Sequence, residues 1–507
     1  MRQTVGERPR WKILVLILLV AAALRVYRVD SQSLWMDELF SMECSSGYAP
    51  RTALQSSGMA LTRLDPTSLG NSWWQVWTSV AREENQPPLY FLVLRLWRDI
   101  FGDSDGALRS LSITASLSAI ILLFLVVLEL HDATSALWAA ALMAVASPQI
   151  KFAQEARSYM LLTALSLGAL LVVVRLHKRG PSRRRSVALS LCAAAMLLTH
   201  YLALAPLAAI GLYGGLVMSG KARRQIFRSL ALAGLLFSVL CLPFLWGQRD
   251  HFAGDTAWLL EGGKGELVRI LQRAAVMPAR YLIQPSAGHL GIAALGAAGY
   301  LLLLLLARRD RSFLIWSFWL GCPILVAAAL DLSRSSWTLD LVRYTLVAAP
   351  AMYLLIATVG RQHRFFRHAI PAVVLLACLL ELPNTYTPYK ADFRGLARFV
   401  QDRAQPGDAI VFSGSDTGDW YEDILYLGMS HYMHHMPGPI IFLHAPTDAK
   451  ALAQLRSTRN VWLIEKWRGN GALQTLDSTQ LTATMPFPGL ATVSQLVLTA
   501  LPDSLPR

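Results

Sequence analysis

The sequence predicts a polytopic α-helical membrane protein with a small α/β domain at its C-terminal end. Three observations predict it. Of 507 residues, 54% are hydrophobic and only 16% charged, against about a quarter charged in soluble domains. Mean hydropathy is +0.40. Apolar runs able to cross a bilayer recur as far as about residue 382 and then stop. This composition excludes a disordered chain, a disulfide-stapled miniprotein and an ordinary soluble enzyme.

Spans read at 11–27, 108–130, 134–149, 159–176, 186–200, 201–218, 228–246, 288–306, 312–330, 343–360 and 366–382, about eleven transmembrane helices in all. The first is a retained span and not a signal peptide: it is long, Arg25 and Arg28 follow it, and no small-residue cleavage site precedes the polar loop. Lys and Arg cluster at the N-terminus and in the loops 175–185, 221–228, 308–311 and 361–367. With eleven spans these all fall on one side, the cytoplasm by the positive-inside rule. The net charge of +14 is therefore a topology signal, and nucleic acid is not an expected partner.

Residues 390–507 carry ten Lys/Arg against eleven Asp/Glu, a net of −1. An odd number of spans puts this part on the outer face. Its β-like runs at 409–413, 439–444, 461–466 and 492–499 alternate with helix-like stretches at 392–403 and 447–456. The expected division is a membrane domain, 1–389, and an outer α/β domain, 390–507. Four cysteines lie in apolar runs, Cys44 stands alone, and none has metal-ligand spacing, so no disulfide scaffold or structural zinc is expected. The outer segments 28–107 and 248–289 are long, and the first holds Trp73, Trp74 and Trp77. They read as interfacial helices beside a cavity at the outer membrane surface.

Five short motifs on that face carry candidate chemistry. Asp37 and Glu38 stand among apolar residues just after the first span, where a carboxylate is costly without a task or a partner. The competing reading is a helix cap with a first-turn acid. Gln86 precedes Pro87-Pro88-Leu89-Tyr90, a rigid helix start. Arg157, within Gln154-Glu155-Ala156-Arg157-Ser158-Tyr159, is either an anion-binding fork or an arginine reaching to water beside Glu155. Arg343-Tyr344 offers the same two readings. His200, between spans, is a ligand contact or a satisfied interfacial residue.

One carboxylate pair and two arginines on one face suit a lipid-phosphate donor. Its tail stays in the bilayer while its phosphate meets guanidinium groups. A phosphate leaving group needs cationic support and no general acid, so one base suffices. A glycosidase needs two separated carboxylates flanking the bond, which adjacent Asp37 and Glu38 do not provide.

Taken in order, Leu34-Trp35-Met36-Asp37-Glu38, Pro87-Pro88-Leu89-Tyr90, the 154–159 motif and Arg343-Tyr344 resemble the GT-C membrane glycosyltransferases. The resemblance is to the bacterial branch of the dolichyl-phosphate-mannose–protein mannosyltransferase superfamily, which includes the aminoarabinose transferases of lipid A. It covers residues 11–385. It implies inverting transfer of a sugar from a polyprenyl-phosphate donor to an envelope acceptor (protein, lipid A or another glycan) at the outer face of the plasma membrane. Asp37 would be the acceptor-activating base, with Glu38 orienting the acceptor or assisting. Arg157 and Arg343 would hold the donor phosphate, Tyr344 and Tyr90 would line the site, and His200 would be peripheral. Relatives often carry His or Lys before the paired prolines, where this chain has Gln86. No cofactor is required; Glu84 and His200 would be the supports of a divalent metal, which is not predicted. The competing class is a transporter or lipid flippase, which would place broken helices and inverted repeats at the bilayer midplane; the spans here read as mostly unbroken, without a repeat.

Overall fold

The structure, a computed structural model, describes residues 10–47, 72–83, 86–248, 259–260, 267–283, 298–299, 301–302, 305, 312–413, 421–433, 437–443, 458, 460–466, 479–487 and 491–498. The chain divides into two compact units. The first is Met1–Val29 with Asn85–Thr387, the second Asp30–Glu84 with Pro388–Arg507. Asp30–Glu84, the larger part of the first outer segment, thus groups with the C-terminal residues.

The first unit is helical. Among the described residues, Asp105–Leu130, Tyr159–Arg179, Gly220–Leu242 and Phe313–Arg334 are long and apolar enough to cross a membrane. The 26 residues of the first of these extend about 39 Å at 1.5 Å per residue. Shorter apolar helices are Tyr201–Leu216, Leu346–Val359 and Phe366–Leu380. The expected span 288–306 lies largely outside the described residues. Asp105–Leu130 packs against Tyr159–Arg179 and Ala133–Val145, and its buried residues include Ser112, Ala115, Ser116 and Ala119 at helical spacing. Small residues there let two backbones approach closely.

Two expected spans are interrupted, and two adjacent ones meet at a sharp break. The segment read as 134–149 is a pair of helices, Ala133–Val145 and Ser147–Ala153, bent by 59°. Pro148 enters the first turn of the second helix, where its missing N–H costs nothing. The 186–200 and 201–218 runs are helices parted by an extended His200 and a single tight turn, Tyr201–Ala203. The 343–360 run begins as 3₁₀ turns, Val342–Tyr344 and Leu346–Ala348, and becomes α-helical only at Ala349–Val359. A helix running through from 343 would set the Pro350 ring against the Leu346 carbonyl, so the α-helix starts where Pro350 lies in its first turn.

The second unit holds the helices Met36–Ser46, Trp73–Glu83, Phe393–Gln401 and Tyr421–Tyr432 and one five-stranded sheet. Its strands are β1 Ala409–Ser413, β2 Ile440–Leu443, β3 Asn460–Lys466, β4 Thr479–Phe487 and β5 Ala491–Leu498, in the order β2-β1-β3-β5-β4. β1 runs parallel to β2 and β3, while β5 is antiparallel to β3 and β4. Phe412 on β1 stacks on Phe442 of β2 with ring centroids 5.6 Å apart, and Tyr426 meets both edge-on. Trp73–Glu83 packs on Met36–Ser46; it buries Val76 and Val80 and exposes Trp73 and Trp74. The helix-like stretch 447–456 lies outside the described residues. β4 was not expected, because Pro486 and its polar residues mask the strand pattern. The sheet order puts it at the edge, where proline is tolerated.

Candidate active site

Asp37 and Glu38 belong to the second unit, and Gln86, Tyr90, Arg157, His200, Arg343 and Tyr344 to the first. Each group has its own geometry.

In the second unit both acids lie in the first turn of Met36–Ser46. Glu38 is fully buried. Its Oε2 accepts the Trp35 N–H at 3.3 Å, closing the capping motif at the helix start. The same oxygen lies 2.8 Å from Lys390 Nζ, both side chains being buried. For Glu38 this is the capping arrangement, strengthened by a buried cation that sequence did not single out. Asp37 is half-buried, and its carbonyl accepts the Ser41 hydroxyl at 2.9 Å.

In the first unit the 154–158 segment joins the bent helix pair to Tyr159–Arg179 and is pinned at both ends. Gln154 Nε2 donates to the carbonyls of Arg25 (2.9 Å) and Tyr27 (2.8 Å). Ser112 Oγ donates to the Arg157 carbonyl at 3.1 Å. Ser158 Oγ donates to Gln86 Oε1 at 2.8 Å, which brings two motifs 72 residues apart together. Glu155 and Arg157 are both buried. Gln86, Pro87 and Pro88 are buried ahead of the helix Leu89–Phe101, and Tyr90 is buried in its first turn.

His200 is buried, with Nδ1 accepting the Leu202 N–H at 3.1 Å. That hydrogen bond assigns the proton to Nε2, for which no acceptor stands among the described residues. The ring lies 6.0 Å from that of Tyr159. Burial, then the positive charges of Arg157 and Arg343, hold the imidazole neutral, its pKa brought down to about 3. The positive charge of both arginines therefore bears on His200. Arg343 lies partly buried in the turn Val342–Tyr344, its guanidinium 5.2 Å from the centre of the Tyr344 ring.

Three residues that hold these loops were not expected in that role. Arg25, read from sequence as a flank of the first span, is fully buried. It donates to Ser116 Oγ (2.9 Å) and to the carbonyls of Ala144 (2.9 Å) and Met143 (3.2 Å), capping the helix that ends at the 59° bend. Asp331 accepts from Ser336 Oγ and from the backbone N–H groups of Thr338 and Leu339 at 2.6–2.9 Å. Arg280 donates to the carbonyls of Leu339 and Asp340. Together the last two shape the turn that leads into Arg343. A charge inside an apolar run was the available signal for Arg25 and Asp331. Among the described residues no three His, Cys, Asp or Glu side chains are placed to hold a metal ion, and Glu84 lies outside them. Two arginines and a neutral imidazole N–H form a setting for a phosphate ester.

Residues 85–246 match the family model of dolichyl-phosphate-mannose-protein mannosyltransferase. No curated protein sequence matches the chain. Among solved structures, the Archaeoglobus fulgidus oligosaccharyltransferase in its apo form aligns at 13% identity and TM-score 0.50, over 89% of this chain and 69% of that one. The arabinofuranosyltransferase AftD from Mycobacteria aligns at 14% identity and TM-score 0.51, over 98% of this chain and 40% of that one. The ArnT of Cupriavidus metallidurans in its apo state aligns at 14% identity and TM-score 0.47, over 96% of this chain and 99% of that one. The fold of the chain is that of the GT-C membrane glycosyltransferases, and residues 85–246 are similar to the dolichyl-phosphate-mannose-protein mannosyltransferase family.

Proposed function

We propose that the chain is an inverting glycosyltransferase that moves a sugar from a polyprenyl-phosphate donor to an envelope acceptor at the outer face of the plasma membrane. The observation that carries this reading is that buried Arg157 and partly buried Arg343 both place positive charge on buried, neutral His200. Such a group suits a phosphate held at the mouth of an apolar helical bundle. The A. fulgidus enzyme of the same fold has been captured with a dolichol-phosphate, which supports a lipid-phosphate donor.

In this reading Asp37 takes the proton from the acceptor hydroxyl. The acceptor oxygen attacks the anomeric carbon from the face opposite the phosphate, and the carbon–oxygen bond to the phosphate breaks. One displacement inverts the centre and releases polyprenyl phosphate. The phosphate leaves ionised, so the arginines replace a general acid, and the step needs no metal. His200 offers its Nε2–H to the same phosphate, while Tyr90, Tyr344 and Gln86 line the donor side. The N-terminus faces the cytoplasm and the C-terminal domain the outer side. The sugar, hexose or pentose, and the acceptor are set by what binds beyond the phosphate.

The test is transfer from a panel of labelled polyprenyl-phosphate sugars, with crude envelope extract as acceptor and wild type compared with Asp37→Asn. Asp37-dependent consumption of one donor supports the reading and names the sugar. A well-folded protein that consumes no donor overturns it, and a fully active Asp37→Asn overturns the base assignment.

A further inference from the structure

The acid helix of the second unit is built from two stretches of chain about 350 residues apart. Besides the Lys390–Glu38 pair at 2.8 Å, the Tyr389 and Lys390 N–H groups both donate to Gln32 Oε1, at 2.8 and 3.0 Å. Ser33 Oγ donates to the Ala391 carbonyl at 2.7 Å. The Leu34 N–H donates to the Tyr432 hydroxyl at 2.7 Å. These bonds fix residues 32–34, just before the helix, and Lys390 fixes its first turn. A buried ion pair adds little net stability over apolar residues of the same size. What it does here is fix geometry: the Glu38 carboxylate joins the Trp35 N–H to the Lys390 ammonium, and Asp37 is the neighbouring residue of the same turn.

We propose that Lys390 is a positioning residue for the reaction: by holding Glu38 it fixes the helical turn that carries Asp37, making the opening segment of the C-terminal unit part of the catalytic apparatus. The proposal rests on the reading of Asp37 as the base. Glu38 then acts through its ion pair and not on the substrate. The C-terminal unit contributes to catalysis whatever its part in choosing an acceptor.

The experiment uses the full-length protein in lipid nanodiscs and the variants Lys390→Met, Lys390→Arg, Glu38→Gln and Glu38→Gln/Lys390→Met. Transfer is measured at varied donor, and hydrogen exchange of residues 33–41 by mass spectrometry. Lys390→Met is expected to exchange faster in 33–41 and to lose kcat on the order of a hundredfold, the scale of a misplaced reacting group, with donor KM nearly unchanged. Lys390→Arg should recover most of kcat. The double variant should be no worse than Lys390→Met, because the uncompensated carboxylate is gone. Undiminished kcat in Lys390→Met beside an active wild type overturns the proposal alone. So does a kcat loss that only follows the folded fraction, or that Lys390→Arg fails to restore. A wild type that transfers no sugar overturns the functional reading and this proposal with it.

Discussion

The two candidate groups are held in opposite ways. In the first unit, charged side chains stand in loops whose backbones are tied by Gln154, Ser112, Ser158, Asp331 and Arg280. In the second, one of two adjacent acids is neutralised by a buried lysine, and the other is its half-buried neighbour. Positive charge is thus gathered by shaping backbone, and negative charge is sorted by pairing one member. The lesson is that adjacency in sequence says little about shared work: Asp37 and Glu38 occupy one turn with different surroundings.

The sharpest way to break that comparison is to remove each acid in turn. Asp37→Asn should keep the unfolding temperature and lose transfer on the order of 10³-fold, within the range of a general base. Glu38→Gln leaves Lys390 buried without its counter-charge, so it should lower the unfolding temperature. Equal losses of activity at equal stability in the two variants would erase the distinction.

The cationic group predicts a different kinetic signature. Arg157→Ala or Arg343→Ala should each lower kcat/KM for the donor about 10- to 100-fold, the equivalent of a charge-assisted hydrogen bond worth roughly 1.5–3 kcal/mol. Both should weaken inhibition by free polyprenyl phosphate, which contains the bound group without the sugar. Arg157→Lys should recover part of the loss, since it keeps the charge and gives up the fork. Undiminished inhibition by the free lipid phosphate would remove these arginines from the donor site.

A smaller effect on transfer, with a larger one on the fold, is expected at Arg25. Its guanidinium satisfies the Met143 and Ala144 carbonyls where the bent pair breaks. Arg25→Met leaves those buried acceptors unmet, at about 1–3 kcal/mol for each. Unfolding in detergent should shift accordingly. Donor use should weaken only as far as the 154–158 segment, tied to the Arg25 carbonyl, is displaced.

Much of this was legible in the sequence. Hydropathy marked the helical bundle, and β1, β2, β3 and β5 declared themselves by apolar runs. The motif residues 86, 157 and 158 were legible as types, and the Gln86–Ser158 hydrogen bond joins them in space. What hydropathy hides is the interruption of a span. The bend after Val145 and the 3₁₀ turns around Arg343 lie inside or beside apolar runs that read as continuous, whereas the break at His200 falls where two spans were read. Residues that act at long range were equally hidden. Lys390 lies at a domain border with nothing local to mark it, and Arg25 is marked only as a charge in an apolar run, with nothing local to name its partners.

The smallest expected effect belongs to His200. Its pKa is brought down from 6.5 to about 3 by burial and by the positive charges of Arg157 and Arg343, so it keeps one charge state from pH 5 to 8. The kcat/KM profile should then show no inflection there that His200→Gln abolishes. Stability follows the opposite limb. As pH falls below about 6.5 the unfolded chain takes up the proton first, so stability is complete above that value and declines toward pH 3. Unfolding temperatures at pH 7 and 4.5 should differ less in His200→Gln than in wild type. An inflection near pH 6.5 that disappears with His200 would mean that the imidazole titrates beside the arginines, a charge like theirs and not the neutral hydrogen-bond donor its buried Nε2–H provides.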